Sequence, residues 1–283
     1  MLIIIIIWTT ISFVFLTVGD FFYCLYNKLT NRHERYSIID TFLLGLFSLL
    51  IPLSISSLFL PSNEYVLAMY FVLSVLYWTF RKTRLRLILN SIKVQFNNLS
   101  IAEKMTMVCL ILAVAFNLVW SASIFDASYY HHQFISCTER YAIIPGLANL
   151  ESRLGFNSNY LLLSSPFTFR FLLGYPVYFM QSLFALYILI WIYIYIIRSK
   201  YSASSIALAL IFGLLYYFYI NDLHDSSTDI IPSLTIFYLA SKYTIEPTKL
   251  QEDSVLIFLA PIAICTFKLS VLPFTLLAFY ILP

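Results

Sequence analysis

The chain has 283 residues, of which 61% are hydrophobic and only 11% charged, with a formal net charge of +3 and a mean hydropathy of +0.85. A soluble domain carries about 25% charged residues, so 17 Lys and Arg with 14 Asp and Glu cannot clothe a soluble surface of this length. A soluble domain is excluded, and the useful ruler is the bilayer, at about 20 apolar residues per crossing.

Met1-Leu2 followed by Ile3 to Ile7 has the apolar core of a signal peptide but neither a basic leader nor a small-residue cleavage site, so a retained first span is expected. Apolar runs then predict about nine membrane segments, near 2–19, 41–60, 65–80, 106–122, 172–197, 203–220, 230–241, 255–267 and 269–283. The last three are short, and little more than Lys268 separates the final pair. The expected fold is all-α, one polytopic transmembrane helix bundle over 1–283, without an internal repeat. The chain stops inside an apolar run at Ile281-Leu282-Pro283, which gives the expectation of a piece of a longer protein.

Orientation follows from where Lys and Arg fall, because cytoplasmic loops retain the excess. Lys28, Arg32 and Arg35, then Arg81 to Lys104, then Arg198 and Lys200, then Lys242 and Lys249 place 13 of 17 basic residues on one side. That side is expected to be cytoplasmic in a cell (inner) membrane, with the N-terminus outside. Between Arg81 and Lys104 the basic residues alternate with Leu85, Leu87, Ile88, Leu89, Ile92 and Val94, as in an amphipathic helix on an anionic leaflet. A solvated connector is the plainer reading. The sequon Asn98-Leu99-Ser100 falls on the same side, where it would not be glycosylated.

The segment 123–171, on the outer side, differs in kind. It gathers Asp126, His131, His132, Glu139, Arg140, Glu151 and Arg153 without a lysine. A helix from Ala127 to Tyr141 would put His132, Ser136 and Arg140 on one face and Tyr130, Phe134, Cys137 and Tyr141 on the other. Pro145-Gly146 predicts a turn. A second short helix is expected from Asn157 or Ser158 to Ser165, stopped by Pro166. Both helices are expected to lie on the membrane with apolar undersides.

The chemistry of these groups is that of a lipid phosphate site. A carboxylate at Asp126 can serve as general base toward a hydroxyl, and the guanidinium forks of Arg140 and Arg153 match phosphate oxygens. The plainer reading is that Glu139, Arg140, Glu151 and Arg153 pair with one another. His131 and His132 as metal ligands would need a further partner. The loop Asn221 to Asp229 holds three carboxylates; Asp225 and Asp229 with Asp126 could ligate a divalent cation, or Ser227, Thr228 or Asp229 could simply cap a helix. Lys268, between two apolar runs, either snorkels or pairs with an anion. Cys24, Cys109 and Cys265 lie in or beside apolar spans and only Cys137 in a polar segment, so no disulfide framework is expected.

Asp126-x-x-x-Tyr130-His131-x-Gln133, followed by Pro145-Gly146-Leu147-x-Asn149-Leu150-x-x-Arg153-Leu154-Gly155-Phe156-Asn157-Ser158, resembles a family of uncharacterised bacterial multi-pass proteins. That family is itself similar to the GT-C class of polyprenyl-phosphate-sugar-dependent glycosyltransferases. The resemblance, over roughly 120–283, implies that Asp126 matches the catalytic base and that short membrane-parallel helices follow it. It also implies that Asp229 matches a second acidic position and that Lys268-Leu269-Ser270 lies between short paired helices. The implied function is inverting transfer of a sugar from a polyprenyl-phosphate donor to an extracytoplasmic acceptor in envelope glycoconjugate assembly, with His131, Arg140, Arg153, Asp229 and Lys268 binding substrate. A transporter or flippase for a lipid-linked or anionic solute is the alternative, and a non-catalytic envelope subunit a third. Nucleic acid is not an expected partner.

Overall fold

The computed structural model describes residues 1–31, 37–120, 127–156, 158–248 and 254–276. Among them every regular element is helical: α1 (Leu2–Thr30), α2 (Ile38–Ser57), α3 (Glu64–Phe80), α4 (Lys82–Asn97), α5 (Ile101–Trp120), α6 (His132–Arg140), α7 (Asn159–Ser164), α8 (Arg170–Leu173), α9 (Met180–Arg198), α10 (Ala203–Tyr219), α11 (Ile230–Ile245) and α12 (Ser254–Phe267). By length and composition α1, α2, α5 and α9 can each cross a membrane, and α3, α10 and α12 are shorter apolar helices.

Contacts between helix termini define two ends. Trp8 donates to the Phe179 carbonyl and to Ser182, joining the starts of α1 and α9. Asn117 donates to the Ile220 carbonyl at 2.8 Å, joining the last turns of α5 and α10. Ser158 Oγ donates to the Phe267 carbonyl at the end of α12, and the amides of Ser62 and Ile143 reach the carbonyls of Thr138 and Ser57. The described residues of 127–179 therefore gather at one end of the bundle, the loop end. At the other, the basic end, Tyr193 of α9 donates to the Glu103 carbonyl at the start of α5, and Lys242 of α11 meets Asp40 in the first turn of α2.

The tightest packing is between α1 and α2. A Cβ on Gly19 would lie 1.9 Å from the Thr41 carbonyl oxygen, and one on Gly45 would lie 1.8 Å from that of Phe15. Only glycine lets the two backbones approach so closely, which is how apolar helices gain contact when hydrophobic burial gives little drive between them. Phe15, Phe42, Phe47 and Phe184 fill the adjoining core.

The basic end is fixed by ions rather than by packing alone. Ser37 and Asp40 form a capping box that starts α2, and Asp40, 2% exposed, also accepts from Tyr238 and from Lys242 at 2.8 Å each. Asp20 receives a fork from Arg84, Nε and Nη2, at 2.6–2.8 Å, together with the Tyr77 hydroxyl. Each buried carboxylate has several donors, as its desolvation demands.

Three expectations change. The ninth segment is a 3-10 helix at Leu269–Thr275, and the residues beyond 276 lie outside those described. The helix expected from 172 starts only at Met180, because Gly174 takes a left-handed φ of 78° and ends the short α8 before Pro176. The second loop helix does not lie on a surface. Tyr160 to Ser164 are buried in α7, enclosed by α2, α6 and α12; the α-helix ends just before Pro166, as expected, and the chain runs on as a 3-10 turn, Ser165–Phe167.

Candidate functional site at the loop end

Lys268 follows α12 and forms an ion pair with Asp229, which caps the start of α11. Both side chains are about two-fifths exposed, at 40% and 42%. The pair sits at a rim. The N-cap role of Asp229 is positional, since its side chain makes no capping hydrogen bond.

Behind the rim lies a buried polar cluster. Gln181, fully buried as the second residue of α9, donates to the Ser227 carbonyl. Asp225, 2% exposed, accepts from the Ser226 amide at 2.7 Å and lies 2.6 Å from His132 Nε2. An imidazole N–H at Nε2 can donate to that carboxylate. The imidazole is stacked on Tyr178, centroids 4.7 Å apart and planes 11° off parallel, which holds the ring in place. Among the described residues Gln181 Oε1, Ser226 Oγ, the Tyr178 hydroxyl and His224 Nδ1 are buried with no hydrogen-bond partner. Buried polar groups are rarely left so, and these four lie on two segments, 178–181 and 224–227, that the Gln181–Ser227 hydrogen bond joins.

Local electrostatics follow burial. Desolvation pushes the Tyr178 phenol above its ordinary value, with the Glu139 charge adding to it. Desolvation lowers His224 below 6.5 and raises the Asp222 carboxyl, the latter helped by Asp225.

A π-helical turn, Ala127–His131, leads into α6. Such wide turns are rare and recur at functional sites. His131 is 4% exposed with its ring 4.2 Å from that of Tyr130, while His132, the next residue, is the one that reaches Asp225. Arg153 lies over Tyr129 at 4.7 Å and Tyr130 at 5.8 Å, a cation–π shelf. Arg140 ends α6 exposed to solvent. Glu139 does not pair with Arg140 or Arg153 but with Arg170 at 2.9 Å and with Thr168. Between those two partners Phe169 is held at a positive φ of 50°, an uncommon conformation for a bulky residue. The strain is tolerated where both neighbours grip one carboxylate.

The structure thus joins Asp229 to Lys268 and runs continuously from Asp225 through His132 and His131 to Tyr130 and Arg153. Arg140 stands apart, and Asp126 lies outside the described residues. No group of three His, Cys, Asp or Glu side chains able to hold a metal forms among the described residues; Asp225 is taken by His132 and Asp229 by Lys268. Sequence reasoning did not find the His132–Asp225 pair, whose partners come from separate loops, or the Glu139–Arg170 pair, whose partners lie 31 residues apart in one segment. Gln181 could have been flagged as the amide opening an otherwise apolar helix.

An all-helical bundle with membrane-length helices and a polar cluster at one end is the architecture of a helical membrane protein. The chain belongs to the family described as "Domain of unknown function (DUF8201)", which matches it over residues 1–283. No curated protein and no solved structure matches it.

Proposed function

We propose that the protein is a GT-C-like inverting glycosyltransferase of about nine membrane segments, with its basic end cytoplasmic and its loop end outside. It would take a sugar from a polyprenyl-phosphate donor. Asp126 removes the proton of the acceptor hydroxyl, the acceptor oxygen bonds to the anomeric carbon, and the anomeric carbon–oxygen bond to phosphate breaks. The bonding pair leaves with the polyprenyl phosphate. Arg153 and Lys268 hold that phosphate, with His131 and Asp229 orienting the substrates, while Arg140, exposed at the end of α6, stands outside the site.

The observation that carries this reading is the exposed Lys268–Asp229 pair at the same end as the buried polar groups of Gln181, Ser226 and Tyr178. A cation held by an exposed partner can be passed to an incoming phosphate at little cost, because pairs this exposed are worth only about 0–1 kcal/mol. Unsatisfied buried donors and acceptors at the same end suit the hydroxyls of a sugar. Arg153 on its tyrosine shelf presents a guanidinium whose orientation is already fixed.

A transporter would be expected to carry charges near the middle of its helices. Asp40 is in the first turn of α2, and Asp20 follows 18 residues of α1, about 27 Å of rise. Both ion pairs then sit near the edge of a hydrocarbon core about 30 Å thick, which favours the enzyme.

The experiment is transfer of radiolabelled sugar from a polyprenyl-phosphate donor by the reconstituted protein, with solute flux measured in the same vesicles. Transfer that is lost in Asp126→Asn while membrane insertion persists is the expected result. A fully active Asp126→Asn protein, or flux without transfer, overturns the reading.

A further inference from the structure

The helix α4 lies outside the enclosed core of the bundle. Over its 16 residues, Lys82–Asn97, no side chain is buried. It is nevertheless fixed in place. Arg84 in its first turn makes the fork onto Asp20 described above and lies 5.8 Å from the centre of the Tyr23 ring. At its far end the capping pair Ser100 and Glu103 starts α5, with the Ser100 amide 2.7 Å from the Glu103 carboxylate. Anchored to α1 through Asp20 and joined to α5 by only three residues, the helix is kept at the basic end.

Its side chains sort into two adjoining strips. Leu85, Ile88, Leu89, Ile92 and Phe96 follow helical spacing and form one apolar stripe. Leu89 is 53% exposed and Ile92 and Phe96 are each 40% exposed, so protein does not cover that stripe. Lys82, Arg86 and Lys93 form the strip beside it. Those three cations have no acidic partner among the described residues, and the sequence holds no Asp or Glu between Glu64 and Glu103. Lys104 adds a further cation over the Phe96 ring at 5.3 Å.

What covers such a stripe is decided by its neighbours. The helix is joined to α3 and α5, two apolar helices that reach the same end of the bundle, α5 being long enough to cross a membrane. The apolar stripe therefore lies at the depth where those helices leave the hydrocarbon. An apolar face edged by unpaired cations is complementary to a leaflet with apolar chains below and anionic headgroups above. We propose that α4 is an in-plane membrane-surface helix that binds anionic phospholipid through Lys82, Arg86 and Lys93, with Asp20–Arg84 as the pin that sets its position. This site is at the opposite end from the proposed catalytic one and does not depend on the glycosyltransferase reading.

The test is hydrogen–deuterium exchange of the full-length protein in nanodiscs of phosphatidylcholine alone or with phosphatidylglycerol. Exchange across 85–97 is expected to slow at least about threefold in the anionic discs, with α11 unchanged. The triple variant Lys82→Gln, Arg86→Gln, Lys93→Gln is expected to remove that difference while keeping the same thermal midpoint, since its residues are exposed. Phosphatidylglycerol retained per protein, counted by native mass spectrometry, should fall with it. Equal exchange in both discs, or a lipid dependence that survives the triple variant, overturns the proposal. Strong protection in both discs would point to a protein partner instead, and overturns it as well.

Discussion

His132 Nε2 lies 2.6 Å from Asp225 Oδ1 across 93 residues of sequence, tying the start of α6 to the loop between α10 and α11. The carboxylate is 2% exposed, and the imidazole stacks flat on Tyr178. This contact makes one site out of two loops.

Asp225→Ala leaves the imidazole facing a cavity where its acceptor stood. Breaking a buried pair costs about 3–5 kcal/mol, and a loss near the lower figure is expected because His132 keeps some exposure. Asp225→Asn retains an acceptor and should cost only about 1 kcal/mol. Thermal unfolding of the two variants in the same nanodiscs checks the order. A larger loss for Asn than for Ala would mean that the contact does not hold the loops.

The rim pair is expected to behave in the opposite way. Asp229 and Lys268 are both about two-fifths exposed, at 42% and 40%, so Lys268→Gln should change stability by less than about 1 kcal/mol. If Lys268 holds a donor phosphate, transfer should fall by about 100-fold in the same variant. Measuring both on one preparation separates a binding cation from a structural one.

At the basic end, Lys242 and Asp40 are 7% and 2% exposed and 2.8 Å apart. Lys242→Met strands the carboxylate with only hydroxyl and amide partners and should destabilise the protein by about 3 kcal/mol. The double variant with Asp40→Asn should regain at least about half of that loss, because the uncompensated charge is gone. A strictly additive double variant would show that the two side chains do not interact.

His224 gives a pH dependence of definite sign. Burial holds its folded-state value below 6.5, so below about pH 6.5 the unfolded chain takes up a proton that the folded chain resists. The contribution of the neutral ring is present above pH 6.5 and is lost as pH falls through the depressed folded value. Relative to His224→Gln, the wild type should lose stability on acidification in that window. A constant difference between the two proteins across it would contradict the assignment.

Much of the fold is legible in the sequence, since an apolar run long enough to cross a membrane announces itself, and α1, α2, α5 and α9 stand where such runs lie. Boundaries were less so. The first span was expected to stop at 19, yet α1 continues to Thr30, because Asp20 is neutralised within the bundle by Arg84. A carboxylate followed directly by Phe21-Phe22-Tyr23 was the available signal. The buried position of α7 had no such signal, since an apolar helix of six residues reads alike on a membrane and inside a bundle.

For the site, the sequence alone determined which residue types were present and that two acidic loops would share one end, because helix count and charge placement fix which ends meet. Only the tertiary structure decided the partners. Asp229 goes to Lys268, Asp225 to His132 and Glu139 to Arg170, each across a distance in sequence that no periodicity reports. The composition pointed to helices long and apolar enough to cross a membrane, and α1, α2, α5 and α9 are such helices. Pairing of its few charges required the three-dimensional arrangement, because a buried ion is stable only beside whichever partner the packing of distant helices brings within reach.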